Sequence, residues 1–314
     1  MIPCYNEEKT LPLVIKSIPE KIHGISKIET LVIDDGSTDK TSQVAKKLKV
    51  NHIIRHQANK GLAQTFADGI EIALKKGAHI IVNTDGDNQY PQKDIPKLIK
   101  PILNGKAEIV IADRQIDKIK EFSFIKKAFQ KIGSSIIRTL SGTNVPDAPS
   151  GFRAYSREAA MQLNIVTEFS YVIETIIQAG KKKITITSIP IKTNPKTRKS
   201  RLFKNHWSYI KQSAATIIRV FAMYEPLKTF FYIGGFIFLS GIAFLIRLLY
   251  FFFTDTGGNH IQSLIAATIL TLIGFQTAII GLLADLIANN RKLLEEILLK
   301  NRKKESRQKR DSKK

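Results

Sequence analysis

From Phe230 to Phe253 the chain runs for 24 residues, FFYIGGFIFLSGIAFLIRLLYFFF, with one charge, Arg247. From Ile261 to Ala284 it runs for 24 more, IQSLIAATILTLIGFQTAIIGLLA, with none. A helix needs roughly 20 apolar residues to cross the hydrocarbon of a bilayer, so each stretch is long enough. The alternative is a pair of helices buried in a soluble core. The aromatic ends and the short loop TDTGGNH between the stretches favour a transmembrane hairpin instead. Arg247 can snorkel towards a helix end or face the partner helix.

Basic residues orient such a hairpin. The loop Thr254–His260 has neither Lys nor Arg, whereas Arg291–Lys314 has eleven basic and four acidic residues, and Lys181–Arg219 has eleven basic residues and no acid. Both flanks are therefore expected on the cytoplasmic side of the cell membrane, in a multi-pass protein whose soluble part is cytoplasmic. Just before the hairpin, Trp207, Ile210, Ala214, Ile217 and Phe221 recur at helical spacing. Lys204, Ser208, Lys211 and Arg219 fall largely on the other side. That stripe predicts an amphipathic helix on an anionic membrane surface, although a helix packed on a soluble domain would show it too. The net charge of +22 gathers around these segments, and no nucleic-acid-binding motif accompanies it, so no nucleic-acid partner is expected. The lone Cys4 excludes a disulfide framework and a cysteine-rich metal site.

Residues 1–200 read differently. Apolar β-rich runs at 28–33, 52–55, 78–83 and 107–112 alternate with helical patterns at 41–48, 61–76 and 95–103. Strands alternating with helices predict an α/β fold with a mostly parallel sheet, and such sheets bind ligands beyond the carboxyl ends of their strands. Tyr5-Asn6-Glu7, Asp34-Asp35 and Asp85-Gly86-Asp87 all fall at such ends. No glycine-rich phosphate loop follows the first strand, which argues against a dinucleotide or P-loop site. Carboxylates repel a bare diphosphate but can hold one through a divalent cation. Asp85, Asp87 and the amide oxygen of Gln89 are hard oxygen donors suited to Mg²⁺ or Mn²⁺.

The segments IPCYNEEKTL, VIDDGSTDKT, Asn59-Lys60-Gly61-Leu62, NTDGDNQYPQKDI and DAPSGFRAYSREA follow one another in that order. Together they resemble family 2 glycosyltransferases of the GT-A fold, most closely the dolichyl-phosphate mannose synthase-like branch, over about residues 1–200. The chain starts inside the first motif, so most of a first strand is missing and a longer natural chain is expected. The resemblance implies a GT-A domain at 1–200, and the apolar and basic patterns above predict an amphipathic juxtamembrane segment at 201–228, a transmembrane hairpin at 229–288 and a basic cytoplasmic tail at 289–314. It implies nucleotide contacts from Pro3, Tyr5 and Glu7, with Asp35 rather than Asp34 reading the base or ribose. Asp85, Asp87 and Gln89 are implied as metal and diphosphate ligands. Arg114 matches the arginine that meets an acceptor phosphate, although Asp113 stands where the family has a small residue. Lys131 and Ser135 fall where a basic residue and a serine meet the same phosphate. Arg198 and Arg201 resemble a basic loop closing over donor and acceptor.

The function this implies is inverting transfer of a sugar from a GDP- or UDP-sugar to a polyprenyl (dolichyl or undecaprenyl) phosphate. A hydroxyl acceptor needs a general base, and His23, His52, His56 and His79 read as ordinary polar residues of helices and strands. A lipid phosphate is already anionic and needs cations instead. The alternatives are a polysaccharide synthase with a hydroxyl acceptor and a non-catalytic membrane scaffold of the same fold. The only tryptophan, Trp207, follows Asn205-His206, so the Gln-x-x-Arg-Trp motif of the synthases is absent. Intact Asp85, Asp87 and Arg114 speak against the scaffold. A homo-oligomer is compatible with everything above.

Overall fold

The structure, a computed structural model, describes residues 1–116, 124–167, 171–195, 214–215, 218–220, 222–254 and 261–311. The chain divides into two units, Met1–Ile217 together with Leu299–Lys314, and Ile218–Leu298.

The first unit alternates β1 (Ile2–Cys4), α1 (Leu11–Ser17), β2 (Leu31–Asp34), α2 (Thr41–Lys47), β3 (His52–Arg55), α3 (Leu62–Lys75), β4 (Ile80–Asn83), α4 (Ile95–Leu103) and β5 (Ile109–Asp113). α5 (Phe124–Ser141), β6 (Arg153–Ser156), α6 (Arg157–Gln162), α7 (Tyr171–Lys181) and β7 (Ile186–Pro190) complete it. β1, β2 and β3 pair in parallel. A second sheet runs in the order β4-β6-β5-β7, with β6 antiparallel to both neighbours and β5 parallel to β7. Met1 bridges the two, because its nitrogen donates to the Val82 carbonyl at 2.6 Å and Thr84 N–H donates to the Met1 carbonyl at 3.1 Å. The strands therefore run β3-β2-β1-β4-β6-β5-β7, mostly parallel as the alternation predicts.

Several strands begin and end later than the apolar runs suggest, Leu31–Asp34 against 28–33 and Ile109–Asp113 against 107–112. The reason is that the terminal aspartates are satisfied inside the fold. The buried Asp34 carboxylate accepts the Ser37 N–H at 2.9 Å and the Ser42 hydroxyl, so it stays in the ladder opposite Cys4 and Arg55.

Packing rather than propensity holds these short elements. A seven-residue helix such as α1 is marginal alone, and Leu11 and Val14 anchor it in a cluster with Ile2, Val32 and Ala45. A second cluster joins α4 to the other sheet through Leu98, Ile99, Val110, Phe152 and Ala154. Burying each such side chain contributes about 1.5–3 kcal/mol. On α3, Phe66 stacks on Tyr171, ring centroids 3.8 Å apart.

The second unit holds α8 (Pro226–Phe253) and α9 (Ile261–Asp311) as far as Leu298. Each holds an 18-residue stretch long and apolar enough to cross a membrane, with mean hydropathy 2.2 and 2.0. Phe236 and Phe253 are 75% and 80% exposed, which a core helix in water would not tolerate. The helices meet along small residues seven apart, Gly234 and Gly241 on α8, Ala267, Gly274 and Gly281 on α9. A seven-residue repeat keeps one seam facing a partner helix, and glycine lets the backbones approach closely. Arg247 places its guanidinium 5.6 Å from the centre of the Phe251 ring, one turn further along α8. Of the amphipathic stripe, only Ala214 lies within the described residues.

Candidate active site

Three loops at the carboxyl ends of β1, β2 and β4 build the site. The first two are bolted together by backbone polar groups. Asn6 sits at φ 58°, where asparagine is tolerated better than most residues. Its Oδ1 accepts the Thr38 N–H at 2.8 Å, and its own N–H donates to Ser37 Oγ at 2.9 Å. Glu7 N–H donates to Thr41 Oγ1 at 2.8 Å, and the buried Glu7 carboxylate accepts the Thr10 hydroxyl at 2.5 Å. Pro3 is buried and Tyr5 is half-exposed beside them. The sequence therefore places Pro3, Tyr5 and Glu7 on one rigid platform.

The two adjacent aspartates have different jobs. Asp34 is wholly internal, as described. Asp35 is buried as well, but it gathers the next loop: Oδ1 accepts Lys60 N–H at 2.9 Å, and Oδ2 accepts Gly61 N–H at 2.9 Å. Gly61 has φ 86° and ψ 161°, a conformation open essentially to glycine alone, and that turn aims its N–H at Asp35 while starting α3. His56, at the end of β3, donates from Nδ1 to Asp35 Oδ1 at 2.8 Å. The sequence reading treats His56 as an ordinary polar residue; its contacts form across α3 and carry no local signal.

Asp85 and Asp87 follow β4 and are half-buried. The Asp85 carboxylate lies against Gly151, where an added Cβ would sit 3.1 Å from both carboxylate oxygens and 3.2 Å from the Tyr171 hydroxyl. Gly151 is pinned there. Its N–H donates to the Tyr90 hydroxyl at 2.9 Å, and its carbonyl accepts Asn83 Nδ2 at 2.8 Å and the Tyr171 hydroxyl at 3.4 Å. Burial pushes the Tyr90 phenol up to about 12 and the Tyr171 phenol well above its ordinary value, so both stay neutral. Asp87 Oδ1 accepts Gln89 N–H at 3.0 Å. Gln89 also enters by its backbone carbonyl, which accepts Asn194 N–H at 2.9 Å. Burial, with Glu7 and Asp34 nearby, holds the Cys4 thiol well above its ordinary value, so Cys4 is an inert wall.

Arg114 follows β5. Its Nε and Nη2 donate to Asp147 Oδ2 and Oδ1 at 2.7 and 2.8 Å, and its backbone N–H donates to Oδ2 at 3.0 Å. An arginine fork matches a carboxylate placed in its plane, and Asp147 is a buried partner for it. Asp113, the departure from the family pattern, accepts Gln115 N–H at 2.8 Å and supports Gln115 at φ 49°. Lys131 and Ser135 stand one turn apart on the exposed face of α5, while Ser134 is buried and its Oγ accepts Ala148 N–H at 3.3 Å. Arg198 and Arg201 lie outside the described residues.

The donor set decides which cation suits this place. Among the described residues no three His, Cys, Asp or Glu side chains cluster as a complete metal cage. Mg²⁺ rarely uses one: it takes one or two carboxylates and fills the rest of its shell with waters and substrate phosphates. Asp85, held flush against Gly151, and Asp87 on the same loop are that pair. The residues fit a divalent cation that arrives with a diphosphate.

The model of the glycosyl transferase family 2 matches residues 1–163 of this chain. The chain is 34% identical over 218 residues to the UDP-N-acetylglucosamine–dolichyl-phosphate N-acetylglucosaminyltransferase of Methanococcus voltae, across 62% of this chain and 84% of that one. It is 26% identical over 306 residues to the undecaprenyl-phosphate 4-deoxy-4-formamido-L-arabinose transferase of Photorhabdus laumondii, across 91% of this chain and 87% of that one. Among solved structures, the glucosyl-3-phosphoglycerate synthase of Mycobacterium tuberculosis, crystallised with Mn²⁺ and UDP, superposes with a TM-score of 0.53 at 19% identity, over 70% of this chain and 77% of that one. The same enzyme crystallised with Mg²⁺ and UDP superposes with a TM-score of 0.54 at 20% identity, over 70% and 76%. These structures share the GT-A fold with this chain.

Proposed function

The chain belongs to glycosyl transferase family 2, and on that premise we propose that it moves a sugar from a nucleoside-diphosphate donor to a polyprenyl phosphate at a membrane. One observation carries the reading: a cation-ready carboxylate pair, Asp85 and Asp87, shares a chain with two long apolar helices whose large side chains are exposed. The named relatives act on dolichyl and undecaprenyl phosphates, which supports a lipid phosphate as acceptor. The proposed domains are a catalytic part at 1–200, a juxtamembrane segment at 201–228, a hairpin at 229–288 and a tail at 289–314.

In this reading Pro3, Tyr5 and Glu7 form the platform for the nucleotide, and Asp35 reads its base or ribose. Asp85 and Asp87 hold Mg²⁺ or Mn²⁺, with Gln89 closing the loop around them. A bound divalent ion would neutralise the diphosphate and ease its departure. The acceptor phosphate needs no proton removed, since its oxygen is already anionic near neutral pH. His52 and His56, the histidines at the two ends of β3, are engaged elsewhere, by Glu29 and by two aspartates. Cations must instead bring two anions together. Arg114, Lys131, Ser135, Arg198 and Arg201 are the proposed acceptor side, with Arg114 held in place by Asp147. Direct attack by phosphate inverts the anomeric centre.

The test uses membranes containing the full chain, a panel of radiolabelled UDP- and GDP-sugars, and either a polyprenyl phosphate or the free polyprenol. Label should enter the lipid extract only with the phosphate, only with Mg²⁺ or Mn²⁺, and not with Asp87→Ala. Label following the free alcohol would overturn the acceptor assignment.

A further inference from the structure

His56 is almost completely enclosed, and each of its ring nitrogens meets a different carboxylate. Nδ1 lies 2.8 Å from Asp35 Oδ1 and Nε2 lies 3.0 Å from Asp68 Oδ2, with the His56 side chain 5% exposed. With one ring nitrogen donating to Asp35 and the other facing Asp68, the imidazole is clamped between the two carboxylates. We propose that His56 is the positioning residue for Asp35, the carboxylate that reads the donor's base or ribose; this rests on the function proposed above.

The surroundings agree with that role. From the loop after β2 comes Asp35, and from α3 comes Asp68, whose Oδ1 accepts Gln64 Nε2 at 2.8 Å. From the turn before α3, Lys60 Nζ stands 3.7 Å from Asp68 Oδ2. On β3 itself, Arg55 is turned to Asp34 and the Ser37 carbonyl. His56 therefore ties the end of β3 to both the β2 loop and α3. Asp35 already accepts the Lys60 and Gly61 N–H groups, so the His56 ring fixes the last rotation of its carboxylate.

The experiment uses the full chain in detergent micelles. Calorimetry with UDP and with GDP, each with Mg²⁺, measures affinity, and initial rates against donor concentration separate KM from kcat. His56→Ala should weaken nucleotide binding roughly tenfold, the scale of one hydrogen bond to a charged group, and raise the donor KM with kcat little changed. His56→Asn, whose amide N–H can take the place of the ring donor facing Asp35, should recover most of the affinity. That rescue is one that loss of packing alone would not produce, and His56→Asn keeps the test decisive if His56→Ala fails to fold. Unchanged binding in His56→Ala, or the same loss in His56→Asn, would each overturn the proposal. Failure of wild type to bind either nucleotide would refute the donor reading and with it the positioning role.

Discussion

Gly151 lies against the Asp85 carboxylate, and the contact is tight enough to test. A methyl group there would sit 3.1 Å from both oxygens, so Asp85 must shift by a few tenths of an ångström. Small displacements of a ligand group are costly in catalysis. Gly151→Ala should raise the Mn²⁺ concentration needed for half-maximal activity roughly tenfold while barely changing the melting temperature, as metal titration and calorimetry would show. Arg114 behaves differently. Removing one member of a buried, forked pair leaves the other charge unpaired, at a cost of about 3–5 kcal/mol. Arg114→Ala should therefore destabilise the catalytic unit, and the pair Arg114→Gln with Asp147→Asn should recover much of the loss in denaturant melts. Equal stability of Arg114→Ala and wild type would show that the fork is dispensable for folding. Tyr90 adds a pH dependence. Its folded pKa, raised from 10.0 to about 12, favours the neutral phenol in the fold. The stability it contributes is complete below about pH 10 and is lost as pH rises through about 12, by up to about 3 kcal/mol. Tyr90→Phe should flatten that part of the alkaline unfolding profile.

The helices of the second unit are held by shape. A Cβ on Gly274 would lie 2.4 Å from the Phe238 nitrogen and 2.6 Å from its Cα, and one on Gly241 would lie 2.6 Å from the Thr271 nitrogen. Backbone atoms cannot rotate away as a side chain can. A Cβ on Gly235, beside Gly234 on the same helix, meets nothing within 4 Å. Gly274→Leu should therefore lower thermal stability in detergent, with overpacking costs of about 1–3 kcal/mol, while Gly235→Leu should be nearly neutral. A reversal of that order would mean that α8 and α9 do not pack along this seam.

Across the whole molecule, the chain leaves the catalytic unit and comes back to it. Arg302, near the end of α9, donates from Nη1 to the carbonyls of Met161 and Leu163 at 2.7 and 3.1 Å, at the carboxyl end of α6. A guanidinium on a helix's last carbonyls is favourable for hydrogen bonding and for the helix dipole. The contact lies within the first unit, and the basic flanks on both sides of the apolar stretches lead to the prediction that the tail and residues 1–200 share one side of a membrane. Reporter fusions at Gly257 and at Lys314 should report opposite sides. The same side for both would refute a hairpin.

Much of this was legible in order along the chain. Alternating apolar and polar segments predict the parallel α/β sheet, and two apolar 24-residue stretches predict the two long helices, because periodicity and length are local properties. The strand ends at which Asp35, Asp85 and Asp87 lie were legible too, since every parallel strand delivers its carboxyl end to the same edge. What each group does there was decided by partners distant in sequence. Asp147 takes the Arg114 fork from 33 residues away, Asn83 reaches Gly151 across 68 and Tyr171 across 88. His56 looked like a plain strand-end histidine until α3 folded over it with Asp68. A hydrogen bond depends on where two groups meet in space, and only the packed sheet and its helices bring these groups together.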